Sequence, residues 1–252
     1  MLLENKIALV TAAGSGIGQA GARIMARNGA MVVVTDRDGQ RADETAKMIQ
    51  AEGGRCESAC LDVTADSDIS KIVEKVMASH GRLDVLHSHA GIQVEGTVEQ
   101  IDVDGFDASW AINVRAHFML IKSVLGMMRE AGGGSIIVTA SNSGVLYDRE
   151  MVAYATSKHA CVAMVKQIAA DYAVHNIRVN ALCPGWIDTP FNDPFTRQMG
   201  GREALLDYVS SAIPMRRFGN VEEIAEAILF LASSKSSFMT GQAFVVDGGE
   251  SL

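Results

Sequence analysis

The chain has 252 residues, of which 48% are hydrophobic and 21% charged, and it carries a formal net charge of -8. Such a chain can bury a sizeable core, which excludes a disordered polymer, and its acidic balance argues against a nucleic-acid surface or an anionic membrane, since both select basic patches. No apolar run approaches the roughly 18 to 20 residues that span a bilayer and the N-terminus "MLLENKIALVT" lacks the basic and apolar regions of a secretory signal, so a cytoplasmic protein acting on a small molecule is expected.

In chain order, short β-branched runs alternate with amphipathic segments. The strand candidates are "KIALVT" (6–11), "MVVVTD" (31–36), "CESACLDV" (56–63), "LDVLHSH" (83–89), "GSIIVTAS" (134–141), "IRVNALCP" (177–184) and "AFVVDGG" (243–249). Helical patterns such as "GIGQAGARIMARNGA" and "VEEIAEAILFLASS" lie between them. Several strands are apolar almost throughout, as strands covered on both faces of a parallel sheet are. The expected fold class is therefore α/β, a Rossmann-type doubly wound parallel sheet of about seven strands with helices on both faces. No repeat, linker or low-complexity tract divides the chain, so residues 1–252 read as a single domain. The one irregular stretch, "PGWIDTPFNDPFTRQMGG", follows a strand's C-terminal end, and a substrate-covering segment is expected near 186–214, over the crevice where open α/β sheets bind ligands.

Three features carry chemistry. The first is "TAAGSGIGQA" directly after the first strand, where Gly14, Ser15, Gly16, Ile17 and Gly18 form a strand-to-helix turn. Glycines there let the backbone approach a pyrophosphate and aim amide N–H groups at it from the positive end of a helix. The second is Asp36, which closes the second strand 18 residues beyond Gly18. A carboxylate about 20 residues on accepts the adenosine ribose hydroxyls and repels a 2'-phosphate. NAD is thus expected, with NADP less favoured, although the adjacent Arg37 offers a phosphate some compensation. The third is Tyr154 and Lys158 in "MVAYATSKHACVAM", which stack one helical turn apart. His87 and His89 alternate along a strand and share a side, but no third ligand or carboxylate has suitable spacing, so no metal is expected. Cys56, Cys60, Cys161 and Cys183 include no C-x-x-C pair and read as free thiols.

Taken together, these residues resemble the short-chain dehydrogenase/reductases of about 250 residues, and the likeness runs from Lys6 to Gly249. The family's T-G-x-x-x-G-x-G corresponds to Thr11, Ala12, Gly16, Ile17 and Gly18, with Ala12 in place of the first glycine. Its adenine-capping Asp corresponds to Asp62, followed by Val63. The N-N-A-G segment corresponds to Ser88, His89, Ala90 and Gly91, a departure at both asparagines. The resemblance implies catalytic roles for Asn113, Ser141, Tyr154 and Lys158, with Pro184, Gly185, Ile187 and Thr189 around the nicotinamide. In these roles Tyr154 exchanges a proton with the alcohol, Ser141 holds the substrate oxygen, Lys158 also grips the nicotinamide ribose, and Asn113 holds a water linking Lys158 to solvent. It also implies a homotetramer packed through the helices of Asn113 and Tyr154 and the C-terminal strand.

A tyrosine with a pKa near 10 is only about 0.1% phenolate at pH 7, so a shift of about three units, roughly 4 kcal/mol, is needed for it to act as a base. An ammonium about 4 Å away at an effective dielectric near 20 supplies about that much. The function expected is NAD(H)-dependent interconversion of a small polar secondary alcohol, of sugar, polyol or hydroxy-acid type, with its ketone. A 3-oxoacyl-acyl-carrier-protein reductase and, further off, a non-catalytic dinucleotide-binding regulator are the alternatives. Gln93, Ser143, Arg149, Trp186 and Asn192 are the candidate substrate contacts, Arg149 as a fork for a carboxylate, sulfonate or vicinal diol.

Overall fold

A computed structural model describes all residues, Met1–Leu252. Seven parallel strands form one sheet in the order β3-β2-β1-β4-β5-β6-β7. They are β1 (Ile7–Val10), β2 (Met31–Asp36), β3 (Arg55–Cys60), β4 (Val85–Ser88), β5 (Gly134–Thr139), β6 (Ile177–Pro184) and β7 (Ala243–Val246). The sequence locates all seven, but the observed third, fourth and seventh end before the loop residues at 61–63, 89 and 247–249.

Side chains along the strands alternate between two cores, which is why the strands read as continuously apolar. Leu9, Val33, Leu86, Ile136 and Val179 pack on one face against α3 (Asp66–His80), α5 (Ala116–Glu130) and α6 (Val152–Tyr172). Ala8, Val10, Val32, Val34 and Ile137 pack on the other against α1 (Gly16–Arg27), α2 (Gly39–Ala51) and α9 (Val221–Ala232). Local chemistry sets the helix ends: Asp38 caps α2 through Gln40 and Arg41, and Asn220 and Glu223 form a reciprocal capping box on α9. Between α4 (Val103–Trp110) and α5 the helix widens into a π turn, Ala111–Arg115. Asn113 lies at its centre, a kind of local unwinding that recurs at functional sites.

The strand order reverses direction beside β1: the chain runs outward through β2 and β3, then returns to lay β4 on the other side of β1. The crevice at the C-terminal ends of β1 and β4 is where an open α/β sheet binds ligands. The glycine turn leaves β1 there and the Ser88–Gly91 segment leaves β4 there. Over it lies the excursion after β6, with the short α7 (Asp193–Gln198) and α8 (Arg202–Ala212). That excursion has its own core of Leu205, Val209 and Ile213, against which Trp186, Met199 and Phe218 pack.

Candidate active site

A single cavity of about 800 Å³ runs from Asp36 and the glycine turn, past Ser141, Tyr154 and Lys158, to the underside of the excursion. At the dinucleotide end the turn has no room for larger side chains. A Cβ on Gly14 would lie 2.8 Å from an Asp36 carboxylate oxygen, and one on Gly18 would lie 2.3 Å from the Ala12 carbonyl oxygen. Gly16 takes a positive φ of 53° and faces Thr189. Ala12 takes the left-handed conformation too, with φ at 50°, although it is not glycine. Asp36 is held by its own surroundings: one carboxylate oxygen accepts from the Gly14 amide and the other from the Asp38 amide, each at 3.0 Å. The open turn, the amides of α1 and this carboxylate fit a dinucleotide. Ser15, Gly16, Ile17, Gly91, Pro184, Gly185, Ile187 and Thr189 line the cavity as expected.

Gly14, Gly18, Asp62, Val63 and Ala90 do not reach the cavity wall. The Asp62 carboxylate accepts from both the backbone amide (2.8 Å) and the hydroxyl (2.7 Å) of Thr64. Those two bonds hold its carboxyl below the usual range, with a smaller pull from Arg37. Val63 is packed in the core, and Ala90 donates its amide to the Thr11 hydroxyl, which also accepts from the His89 amide.

The reacting end gathers residues far apart in sequence. Ser141 follows β5, while Tyr154 and Lys158 project from the first turns of α6. Lys158 is buried, its Nζ lies 5.6 Å from the centre of the Tyr154 ring, and it donates to the Thr139 carbonyl at 3.1 Å. Burial pushes the Tyr154 phenol up to about 12, the Ser141 hydroxyl beside it pulls the other way, and Cys161, Asp148 and Cys183 add to the rise. Burial is thus the largest influence on the phenol, and the Lys158 Nζ has the Thr139 carbonyl as its hydrogen-bond partner.

Asn113 is wholly buried and lies outside the cavity wall. Its side chain pairs with the backbone of Ile92 in both directions, accepting from the amide at 2.8 Å and donating to the carbonyl at 2.9 Å. It also donates to the Ser157 hydroxyl, and its own carbonyl accepts from the Cys161 thiol. The geometry gives Asn113 the job of pinning the segment after β4 to α6. Beneath Lys158, His87 of β4 and His89 of the following loop share the Thr139 hydroxyl at 2.9 and 3.0 Å. Ser88 contacts the His117 ring nitrogen at 2.6 Å. Burial and then Lys158 lower the His89 imidazole to about 4, so this network is uncharged at neutral pH. No three histidine, cysteine or carboxylate side chains are grouped as metal ligands would be.

At the substrate end Gln93, Ser143, Arg149, Trp186 and Asn192 all line the cavity, but in unequal ways. Asn192 is buried and spends its amide on the Ile187 carbonyl, and Gln93 donates to Glu95. Arg149 is exposed at the rim between Asp148 and Glu150, in an ion pair with neither. The residue that sequence reasoning missed is Glu250, four positions beyond β7, which lines the cavity and accepts from Asn142 (2.8 Å) and from the Trp186 indole (3.0 Å).

A model of the enoyl-(acyl carrier protein) reductase family matches residues 11–251. The chain is 37% identical over 249 residues to a 3-oxoacyl-acyl-carrier-protein reductase of Thermotoga maritima, covering 99% of each. It is 39% identical over 252 residues to 2-keto-3-deoxy-L-fuconate dehydrogenase of Xanthomonas campestris pv. campestris, covering 98% of this chain and 80% of that one. Among solved structures, a gluconate 5-dehydrogenase from Burkholderia cenocepacia in complex with NADP and tartrate superimposes with a TM-score of 0.92 at 32% identity, covering 98% and 96%.

Proposed function

The chain belongs to the short-chain dehydrogenase/reductase family, and from that premise we propose that it is an NAD(H)-dependent oxidoreductase interconverting a small polar secondary alcohol and its ketone. The observation that carries this reading is the single cavity in which Ser141, Tyr154 and Lys158 meet the glycine turn and Asp36 at one end and a polar wall at the other. When bound, the dinucleotide supplies the hydride acceptor or donor at its nicotinamide ring. Ser15, Gly16 and the amides of α1 would hold its phosphates and Asp36 its adenosine ribose, which favours NAD over NADP by charge.

The chain's own residues manage the proton. Tyr154 Oη gives its proton to the ketone oxygen in reduction and, once it is itself deprotonated, takes the hydroxyl proton of the alcohol in oxidation. With its phenol pushed up to about 12, Tyr154 rests in the protonated form, ready as the acid of ketone reduction. Ser141 stands beside the phenol and holds the substrate oxygen. Lys158, whose ammonium burial pushes below its usual range, donates to the Thr139 carbonyl beneath the site. Asn113, through Ile92 and Ser157, fixes the segment and helix between which that ammonium lies.

A 3-oxoacyl-acyl-carrier-protein reductase is the second reading, favoured by the Thermotoga maritima relative. An acyl chain would have to run past Asp148 and Glu250, both on the cavity wall. Reduction of NAD and of NADP, followed spectrophotometrically against sugars, polyols, hydroxy acids and a 3-oxoacyl thioester, tests the reading. Turnover confined to the thioester overturns it. The assembly belonging to this reading is a homotetramer, supported by Val103, Phe106, Trp110 and Phe118, which expose apolar side chains along α4 and α5. Light scattering measures it.

A further inference from the structure

The substrate half of the cavity carries an excess of carboxylates. Asp148, Glu150 and Glu250 line it with Arg149, which is exposed at the rim and pairs with none of them, while the cavity's other basic side chain, Lys158, donates to the Thr139 carbonyl. Glu250 is the one that is built in. The turn after β7 places it there through Gly248 and Gly249, whose positive φ values of 67° and 93° suit glycine, and through Asp247, which accepts from the amides of Gly249 and Ser251.

Asn142, 7% exposed, donates its Nδ2 to Glu250 Oε2, and Trp186 donates its indole N–H to Oε1. A carboxylate only accepts, so it fixes the Asn142 amide with Oδ1 toward Ser141, whose hydroxyl donates to it at 3.3 Å. Glu250 is thus two hydrogen bonds from the oxygen that holds the substrate. Each of its oxygens has spent one of two acceptor directions on these neighbours, which leaves acceptor capacity for a ligand in the cavity.

We propose that Glu250 is a specificity-determining residue, whose carboxylate selects neutral alcohols with a further hydroxyl to donate, that is polyols, over hydroxy acids of the same carbon skeleton. This rests on the polar-alcohol reading above and divides the substrate classes that reading leaves together. A donating hydroxyl satisfies the free acceptor positions of Glu250, whereas an anion meets like charge there, and Arg149 at the rim lies in solvent where its charge is screened. The groups that face Glu250 agree in sign: Asp148 and Asp247 push its carboxyl upward, after burial, and only the neutral Asn142 and Trp186 hold it down. Tyr208, the remaining titratable neighbour, is itself raised by burial and then by Glu250 and Asp148.

The test uses matched pairs, glycerol with glycerate and glucitol with gluconate, as substrates for the intact enzyme with NAD. The parent should show a KM at least tenfold lower for the neutral member of an accepted pair. In Glu250→Gln, which keeps an acceptor for Asn142 or Trp186, that ratio should fall to within about threefold, mainly because KM for the acid drops. Asp148→Asn should move it the same way by less. Equal or better use of the acid by the parent, or an unchanged ratio in both variants, overturns the proposal while leaving a polar-alcohol dehydrogenase in place. No turnover of any pair member, with a 3-oxoacyl thioester reduced, overturns both.

Discussion

Replacing Asp36 by alanine should invert the enzyme's choice of dinucleotide. A 2'-phosphate carries a charge of about -1.5 to -2, and two unit charges about 5 Å apart at an effective dielectric near 20 interact by about 3 kcal/mol. Repulsion in the parent is therefore about 5 to 6 kcal/mol before screening. Arg37 and Arg41 stand beside this corner, since a Cβ on Gly14 would lie 2.6 Å from the Arg41 Cβ, and they offset part of it. With salt screening as well, a net penalty of about 2 to 3 kcal/mol remains, or roughly 30- to 150-fold in affinity. Asp36→Ala removes that penalty together with the ribose acceptor, so the ratio of kcat/KM for NADP over NAD should rise at least about a hundredfold. The carboxylate also accepts from the Gly14 and Asp38 amides, so the variant should lose about 1 to 3 kcal/mol of stability. Asp36→Asn, which keeps an acceptor and drops the charge, should fall between the two. Calorimetric titration with each dinucleotide separates binding from turnover. Equal affinity of the parent for both refutes the reasoning, because then the carboxylate does not face the ribose hydroxyls.

Tyr154→Phe should lower turnover by about a hundredfold to ten-thousandfold, the usual worth of a positioned acid-base group, while dinucleotide affinity stays within about twofold; retention of more than a few per cent of the rate removes Tyr154 from its role. Gly18→Ala forces a methyl to 2.3 Å from the Ala12 carbonyl oxygen, and should cost about 1 to 3 kcal/mol, read as a Tm lower by roughly 3 to 10 °C. The Asp84 carboxyl, although burial raises it, is held below its usual range by Arg82, the Ile7 amide and Lys6. A depressed folded-state pKa contributes stability that is fully present above the unfolded value near 3.9 and is lost as pH falls through the lower folded value. The acid limb of a denaturation profile should therefore flatten below about pH 4 in Asp84→Asn, which equal slopes would contradict.

The sheet and the reacting residues are legible in the sequence because their signals are local. A parallel strand buried on both faces must be apolar at consecutive positions, and the glycine turn, Asp36 and the Tyr154–Lys158 pair each fall within one strand or one helical turn. His87 and His89 do meet at one Thr139 hydroxyl, but His89 reaches it from the loop beyond β4 and not as a strand residue. What the spacing does not carry is where a side chain spends its hydrogen bonds. Stacking of Tyr154 and Lys158 places the pair correctly, yet the ammonium bonds the Thr139 carbonyl and burial governs the phenol. Asn113 likewise sits in the expected helix, but its π turn and its pairing with Ile92 depend on how that helix meets the segment after β4.

Glu250 marks the deeper limit. Nothing in "DGGESL" distinguishes it from a solvated end of the chain, and it meets Asn142 only because β7 pairs beside β6 and the glycine turn then doubles back across the mouth of the sheet. Arg149 is the converse case. It lies between Ser141 and Tyr154 in sequence, where a substrate wall is expected, yet the loop leaves it exposed at the rim. A cation in solvent and a half-buried carboxylate are not equivalent in effect, since screening weakens the first and desolvation sharpens the second. To the carboxylates of Asp148 and Glu150, which the sequence shows beside Arg149, the fold thus adds a third that the sequence hides. The same carboxyl gives the contrast a pH dependence. Because burial, Asp148 and Asp247 hold Glu250 above the ordinary carboxylate range, it gains its proton first as the medium is acidified, while glycerate, a stronger acid, stays ionised. Discrimination between glycerol and glycerate should then narrow on acidification in the parent and stay flat in Glu250→Gln. A profile that is level in the parent, or equally sloped in both proteins, would mean that the anion is judged by some other group.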